Sequence, residues 1–177
     1  MLRSCDRRRA VGRRDYAVLL ILLRLGLRAG EVARLRLEDI DWRAGQIVVR
    51  GKGRRDERMP LPADVGAAIA GYLRRGRPAV AVREVFVSAI APWSALARGS
   101  VSLIVRRACR RAGITAMGAH RLRHGLACAV VRAQVPLAQI GQMLRHRSPI
   151  TTAGYARVDV DQLRTLARSR PGQVSSR

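Results

Sequence analysis

Residues 17 to 23 read AVLLILL, with Arg13, Arg14 and Asp15 before the run and Arg24 and Arg28 after it. A helix of that length rises about 10 Å, far short of the ~30 Å of hydrocarbon that a spanning segment must cross. Basic residues precede it as in a signal peptide, but arginines follow at once and no small-residue cleavage site appears. The remaining reading is a helix buried on all sides, around which the rest of the chain has to wrap. The pattern predicts helix from Arg13 to about Leu25, broken by Gly26. With 177 residues there is material for one domain with one sizeable core.

What wraps around it is unusually basic. The formal net charge is +23, while hydrophobic residues make up 48% of the chain. That hydrophobic share excludes a disordered basic tail, and the arginines run through the whole sequence rather than forming one arm. A folded domain with such a surplus needs a polyanionic partner, nucleic acid first and a membrane surface second. Aromatic residues are only 3%, which argues against a base-stacking platform for single strands. Cys5, Cys109 and Cys128 are widely spaced, with no CxxC or Cys/His metal pattern. They are read as reduced structural thiols of a cytosolic protein, and no metal is expected.

Along the chain, residues 1–12 are basic and irregular, and AGEVARLRL at 29–37 has helical spacing. QIVVR, GKGRRDE and RMPLP predict a β-hairpin, with Pro60 on an edge strand. Helix is predicted for 63–75, a third strand for REVFVS at 83–88, and helix again for 100–112, ending at Gly113. Further helices are predicted at 119–134, 136–144 after Pro136, 149–155 and 159–168, before a disordered tail at 169–177. The fold class is therefore mainly α with a small three-stranded antiparallel sheet, in one domain over 13–168 with no internal repeat.

Few residues offer chemistry beyond charge. All three histidines lie in 120–146: His120 and His124 in HRLRH, and His146 in LRHRSPITTAGY, which ends at Tyr155. Arg28 sits at the break between two helices. Lys52, in the hairpin turn, is the only lysine in a chain whose lysines and arginines total 35.

These segments, taken together, resemble the tyrosine recombinases, or phage-type integrases. The chain has LGLRAGEVARL at 25–35, GKGRRDERMPL at 51–61, HRLRH at 120–124 and LRHRSPITTAGY at 144–155. Each is similar to a motif of that family's catalytic domain, in the same order and at similar separations. Any one alone would be weak; HxLRH recurs by chance on basic helices. The resemblance covers roughly 13–168 and implies the catalytic set Arg28, Lys52, His120, Arg123, His146 and Tyr155. It implies site-specific DNA cleavage and rejoining through a 3′-phosphotyrosine, without metal or nucleotide cofactor. It also implies double-stranded DNA as partner and four protomers on two duplexes. The compartment implied is cytoplasmic and nucleoid-associated, in a bacterium, phage or other mobile element.

The chemistry of these residue types agrees with that assignment. Reversible strand breakage without water needs a protein nucleophile that stores the bond, and a phenol does so. Guanidinium forks suit the charge that builds on the phosphate oxygens, and they keep their protons. Histidine titrates near neutrality, so His120, one helical turn before Arg123, is suited to exchanging the tyrosine proton. Arginine is a poor general acid for the leaving 5′-oxygen, whereas a lysine set among cations is a better one. The solitary Lys52, flanked by Gly51 and Gly53, has the residue type that role needs.

Each residue also has a plainer reading. Taken singly, Arg28 is a surface cation and Lys52 a solvated turn residue; the combination is what favours catalysis. His124 is read as structural, and Glu31 as an ion-pair partner at a helix start. Tyr16 and Tyr72 are read as packing residues with surface hydroxyls, and Trp42 and Trp93 as core or loop anchors. Arg145 and Gln134 stand where the family usually has glycine, and Arg157 where histidine is frequent. Relatives generally carry an amino-terminal helical clamp. The pattern here starts near Met1, so no such domain is expected, DNA affinity should be salt-sensitive, and an accessory DNA-binding protein is a candidate partner. The rival reading is a catalytically degenerate DNA-binding module derived from a recombinase. A basic RNA-binding protein would explain the charge but not the ordered motifs.

Overall fold

Helix α1 (Ala10–Arg24) is the axis of the computed structural model, which describes residues 1–51 and 56–132, with side chains through residue 128. Its residues Ala17 to Leu22 are all buried, so the helix has no solvent face over that stretch. Each large side chain removed from water there stabilises the fold by roughly 1.5–3 kcal/mol. Nearer its start, Arg14 and Asp15 are both 6% exposed. Arg14 Nε and Nη2 donate to Asp15 Oδ1 at 3.1 and 2.8 Å, and Nη1 to the Val87 carbonyl at 3.1 Å, so this buried pair is hydrogen-bonded on both sides.

Three helices cover α1. Helix α2 (Ala29–Arg34) follows the break at Gly26 and ends sooner than its apolar pattern predicts, since Leu35 is already extended. A 3-10 turn at Leu37–Asp39 leads into β1 (Ile40–Asp41). Strands β2 (Gln46–Arg50) and β3 (Asp56–Pro60) form the expected hairpin, in register from Gln46↔Pro60 to Arg50↔Asp56. The sheet order is β1-β2-β3, antiparallel throughout, and Pro60 does lie on an edge strand. Helix α3 (Ala63–Arg75) packs on α1 through Val65, Ile69 and Tyr72, one helical stripe. Helix α4 (Arg98–Arg111) presents Val101, Ile104, Val105, Ala108 and Cys109 to α1 and α2. Gly113, at φ 66°, turns the chain out of that helix. Helix α5 (Ala119–Arg132) carries the HRLRH segment.

Several expectations are corrected. The sheet has three strands, but the third is β1, not 83–88. Val85, Phe86 and Val87 are fully buried, yet their backbone finds different partners in turn. Val85 N–H donates to the Leu35 carbonyl, Leu96 N–H to the Phe86 carbonyl, and Val87 N–H to the Tyr72 hydroxyl at 3.5 Å. The segment is thus clamped between loops, with isolated bridges in place of a ladder. Tyr72 does not show its hydroxyl to solvent: it is 2% exposed and stacks on Phe86 with ring centroids 5.6 Å apart. Of the two readings of Trp42 and Trp93, core or loop anchor, their exposures of 49% and 45% remove the first. The first residues are not irregular throughout. Leu2–Ser4 form a 3-10 turn, Cys5 is buried, and Arg111 Nε donates to the Ser4 carbonyl at 3.1 Å.

The chain divides into two compact units, Met1–Arg123 and His124–Arg177. The first holds α1 to α4 and the sheet. The helices expected at 136–144, 149–155 and 159–168, the tail, and the hairpin residues 52–55 lie outside the described residues.

Candidate active site

Arg28 caps the start of α2, with extended backbone at φ −73° and ψ 150°. An arginine has no side-chain acceptor with which to satisfy the first helical N–H groups. Glu31, three residues on, supplies the other half of a capping box. Its Oε2 accepts the Arg28 backbone N–H at 2.7 Å, and its Oε1 accepts Arg28 Nη1 at 2.9 Å. The Glu31 side chain is 4% exposed and that of Arg28 51% exposed. A buried carboxylate therefore orients a guanidinium that still faces solvent. This is the ion-pair role expected for Glu31.

Gly26 shapes the same turn. Leu25 N–H closes α1 on the Ile21 carbonyl at 2.9 Å, and Gly26 then adopts φ 59°, the left-handed region that glycine enters without steric cost. Its carbonyl accepts a hydrogen bond from Arg123 Nη1 at 2.5 Å. Arg123 is 3% exposed. The structure thus anchors Arg123 to the LGLR turn between α1 and α2, whose last residue is Arg28. His120, one turn before Arg123 on α5, is exposed.

The hairpin is tied to the segment that follows α2 through Arg50 and Asp39. Asp39 is 3% exposed; its Oδ2 accepts the Arg36 N–H at 2.9 Å and its Oδ1 accepts Arg50 Nη2 at 2.7 Å. Neither residue, nor the Gly26 carbonyl, stands out in the sequence. The glycine between two helical patterns was the available signal for the turn, but nothing local links residues 39 and 50 or 26 and 123. Lys52, His146 and Tyr155 lie outside the described residues.

Other features do not compete as sites. One surface cleft is lined by Arg14, Tyr72, Arg75 and Trp93, another by Cys5, Arg13, Tyr16 and Asp64, and neither contains a candidate residue. Among the described residues, no three or more His, Cys, Asp or Glu side chains cluster to hold a metal, and no helix is long and apolar enough to cross a membrane.

Comparison with known proteins gives this arrangement a context. Residues 1–162 match the phage integrase family. The protein y4rA of Sinorhizobium fredii, named as an integrase/recombinase, is 52% identical over 177 residues, which is 98% of this chain and 43% of y4rA. A second from that organism, y4gC, named likewise, is 43% identical over 165 residues, covering 91% of this chain and 85% of y4gC. Among solved structures, the XerH site-specific recombinase bound to its palindromic difH substrate, a post-cleavage complex, superposes with a TM-score of 0.77 at 25% identity, over 95% of this chain and 50% of that one. This chain therefore spans less than half of y4rA and half of XerH, and most of y4gC. With the family matched over nearly all of its length and the same mainly helical fold, the chain belongs to the phage integrase family of tyrosine recombinases.

Proposed function

We propose that the chain cleaves and rejoins double-stranded DNA in site-specific recombination, with Tyr155 as nucleophile. The Tyr155 phenol oxygen attacks the scissile phosphorus, the bond to the 5′-oxygen breaks, and a 3′-phosphotyrosine and a free 5′-hydroxyl result. The phenol proton passes to His120, and Lys52 delivers a proton to the leaving oxygen. Arg28, Arg123 and His146 donate hydrogen bonds to the non-bridging oxygens as charge builds on them. Rejoining runs the same steps backwards with another strand's 5′-hydroxyl. The phosphotyrosine stores the bond, so rejoining consumes no nucleotide. The complete reaction engages four protomers on two duplexes.

The observation that supports this reading is the hydrogen bond from Arg123 to the Gly26 carbonyl, two residues before Arg28 in the LGLR turn although 97 residues from Arg123 in sequence. Glu31 and the Gly26 carbonyl hold the two guanidinium groups in place, as electrostatic stabilisation of a transition state requires. The net charge of +23 supports a polyanionic substrate.

Covalent capture tests the proposal. The protein is mixed with nicked duplexes carrying the ends of its own element, so that the short cleaved strand diffuses away. A DNA-linked band on a denaturing gel, absent for Tyr155→Phe, is the expected result. Folded, DNA-bound protein without such a band would favour the non-catalytic DNA-binding module.

A further inference from the structure

We propose that the cleft beside Arg14 and Trp93 is a docking site for another protein, through a segment that carries an apolar side chain flanked by carboxylates. The proposal is independent of Tyr155 and of the strand-cleavage reading. The cleft encloses about 350 Å³ where the start of α1 meets the end of α3 and the loop around Ser88 and Trp93. Val11 belongs to the first turn of α1, and from there to Arg24 the helix rises about 20 Å. The cleft is therefore at the opposite end of α1 from the LGLR turn, out of reach of a phosphate held by Arg28.

Its lip is apolar and exposed. Val11 and Trp93, which line it, are 43% and 45% exposed, and Ile90, beside the lining residue Ala89, is 80% exposed. Only Trp42 and Ile114 are comparable large hydrophobic side chains among the described residues, so most of this exposure gathers at one place. The loop that displays Ile90 and Trp93 is crossed by its own hydrogen bonds. Ser88 N–H donates to the Ser94 carbonyl at 2.8 Å. The Ser88 hydroxyl donates to the Ile90 carbonyl at 2.9 Å and accepts the Ser94 N–H at 3.2 Å. Binding to a loop already held in this way costs less ordering than binding to a free one.

The charge around the cleft selects the partner. No acidic side chain lines it. Arg14 is neutralised by Asp15, but the Arg77 guanidinium donates to the backbone carbonyls of Val82, Glu84 and Val85, neutral acceptors that leave its charge uncompensated. Arg74 and Arg75, in the last turn of α3, are exposed, and their side chains form no ion pair among the described residues. Tryptophan and arginine are the residues that most often dominate protein interfaces, and unpaired cations at a rim favour a partner of opposite charge. Duplex DNA would satisfy the arginines but offers its phosphates nothing with which to cover Val11, Ile90 and Trp93.

Short peptides test this. One set has glutamate at most positions and Leu, Ile or Phe at the centre; its controls replace the central residues by serine or the glutamates by glutamine. Binding is followed by anisotropy of labelled peptide and, with unlabelled peptide and Trp42→Phe protein, by the emission of Trp93, then the one tryptophan left in the chain. Peptides with both features should bind and shift that emission to shorter wavelength, and each control should bind roughly tenfold or more weakly. Trp93→Ala and Arg74→Glu/Arg75→Glu, each checked for a native melting transition, should weaken binding by a similar factor. Arg43→Glu/Arg107→Glu makes the same change of charge at other exposed positions and should stay within about threefold of wild type. The inference is overturned if none of the peptides binds, if the serine controls bind equally well, if Trp93 emission does not move, or if Arg43→Glu/Arg107→Glu loses as much as the cleft variants. A short duplex that displaces the peptide and itself binds less well to Trp93→Ala would assign the cleft to DNA. Self-association of the chain that is lost in Trp93→Ala would assign it to a second copy. Either result overturns the inference as well.

Discussion

Gly26→Ala perturbs the LGLR turn to which Arg123 is anchored. At φ 59° an alanine Cβ crowds the following carbonyl, a strain of roughly 1–2 kcal/mol. The stiffer unfolded chain of the alanine variant returns about 0.4–1 kcal/mol of that only where the native backbone suits it, which is not the case here. If the peptide rotates to escape the strain, its carbonyl turns away from Arg123 Nη1, now 2.5 Å distant, and a 3%-exposed guanidinium loses an acceptor. A hydrogen bond to a charged group is worth about 1.5–3 kcal/mol, so relief by rotation costs as much as the strain it removes. Either way Gly26→Ala should lower the unfolding free energy in urea by about 1–2 kcal/mol with an unchanged denaturant slope. Gly26→Asn, which tolerates the left-handed region, should lower it by less. Covalent capture should slow by roughly tenfold for the alanine variant, the equivalent of about 1.4 kcal/mol of lost orientation. Stability of Gly26→Ala within about 0.5 kcal/mol of wild type, with capture unchanged, would refute the claim that this glycine sets the turn.

Other perturbations read other parts of the structure. Phe86→Ala removes a ring that is fully buried against Tyr72 and should destabilise by about 3–5 kcal/mol in the same urea assay. Burial pushes the Tyr72 hydroxyl pKa up, against the weaker opposing influence of its Val87 hydrogen bond and of Arg14 and Arg77. The folded state therefore keeps this proton at pH values where the unfolded state has released it. Stability should be steady below the ordinary tyrosine value of about 10 and fall as pH rises from there towards the folded pKa. Tyr72→Phe should flatten that alkaline limb in a series of melts. Glu31→Gln keeps an acceptor for the Arg28 N–H but removes the charge that orients its guanidinium. Glu31 is 4% exposed and uses both oxygens, so the glutamine amide would face Arg28 Nη1 donor to donor and stability should fall by about 1–3 kcal/mol. Single-turnover cleavage should fall about tenfold, the cost of loosening one transition-state contact by roughly 1.4 kcal/mol.

Local chemistry made some elements legible in the sequence. Helix α3 begins and ends where predicted because Pro62 and Gly76 bracket a clean helical stripe. The hairpin was readable from β-rich segments around a glycine-rich turn, although β3 starts two residues earlier than RMPLP suggests. The failures share a cause. The residues VFV at 85–87 have strand composition, but their backbone partners come from residues 35, 72 and 96, a choice made by packing. Tyr72 buries its hydroxyl because that same segment offers it a backbone donor. The candidate site divides in the same way. Arg28 and Arg123 were legible as candidate phosphate-binding cations from their residue type and motif. The burial of Arg123, its bond to the Gly26 carbonyl and the Asp39–Arg50 pair depend on contacts between segments distant in sequence, which no local pattern encodes.

The most direct test of the central claim is to locate the covalent bond. Protein captured on a nicked duplex is digested with protease and nuclease, and the residual peptide is sequenced by mass spectrometry. The account predicts a nucleotide remnant joined through its 3′-phosphate to Tyr155. Attachment at any other residue, or through a 5′-phosphate, would contradict it.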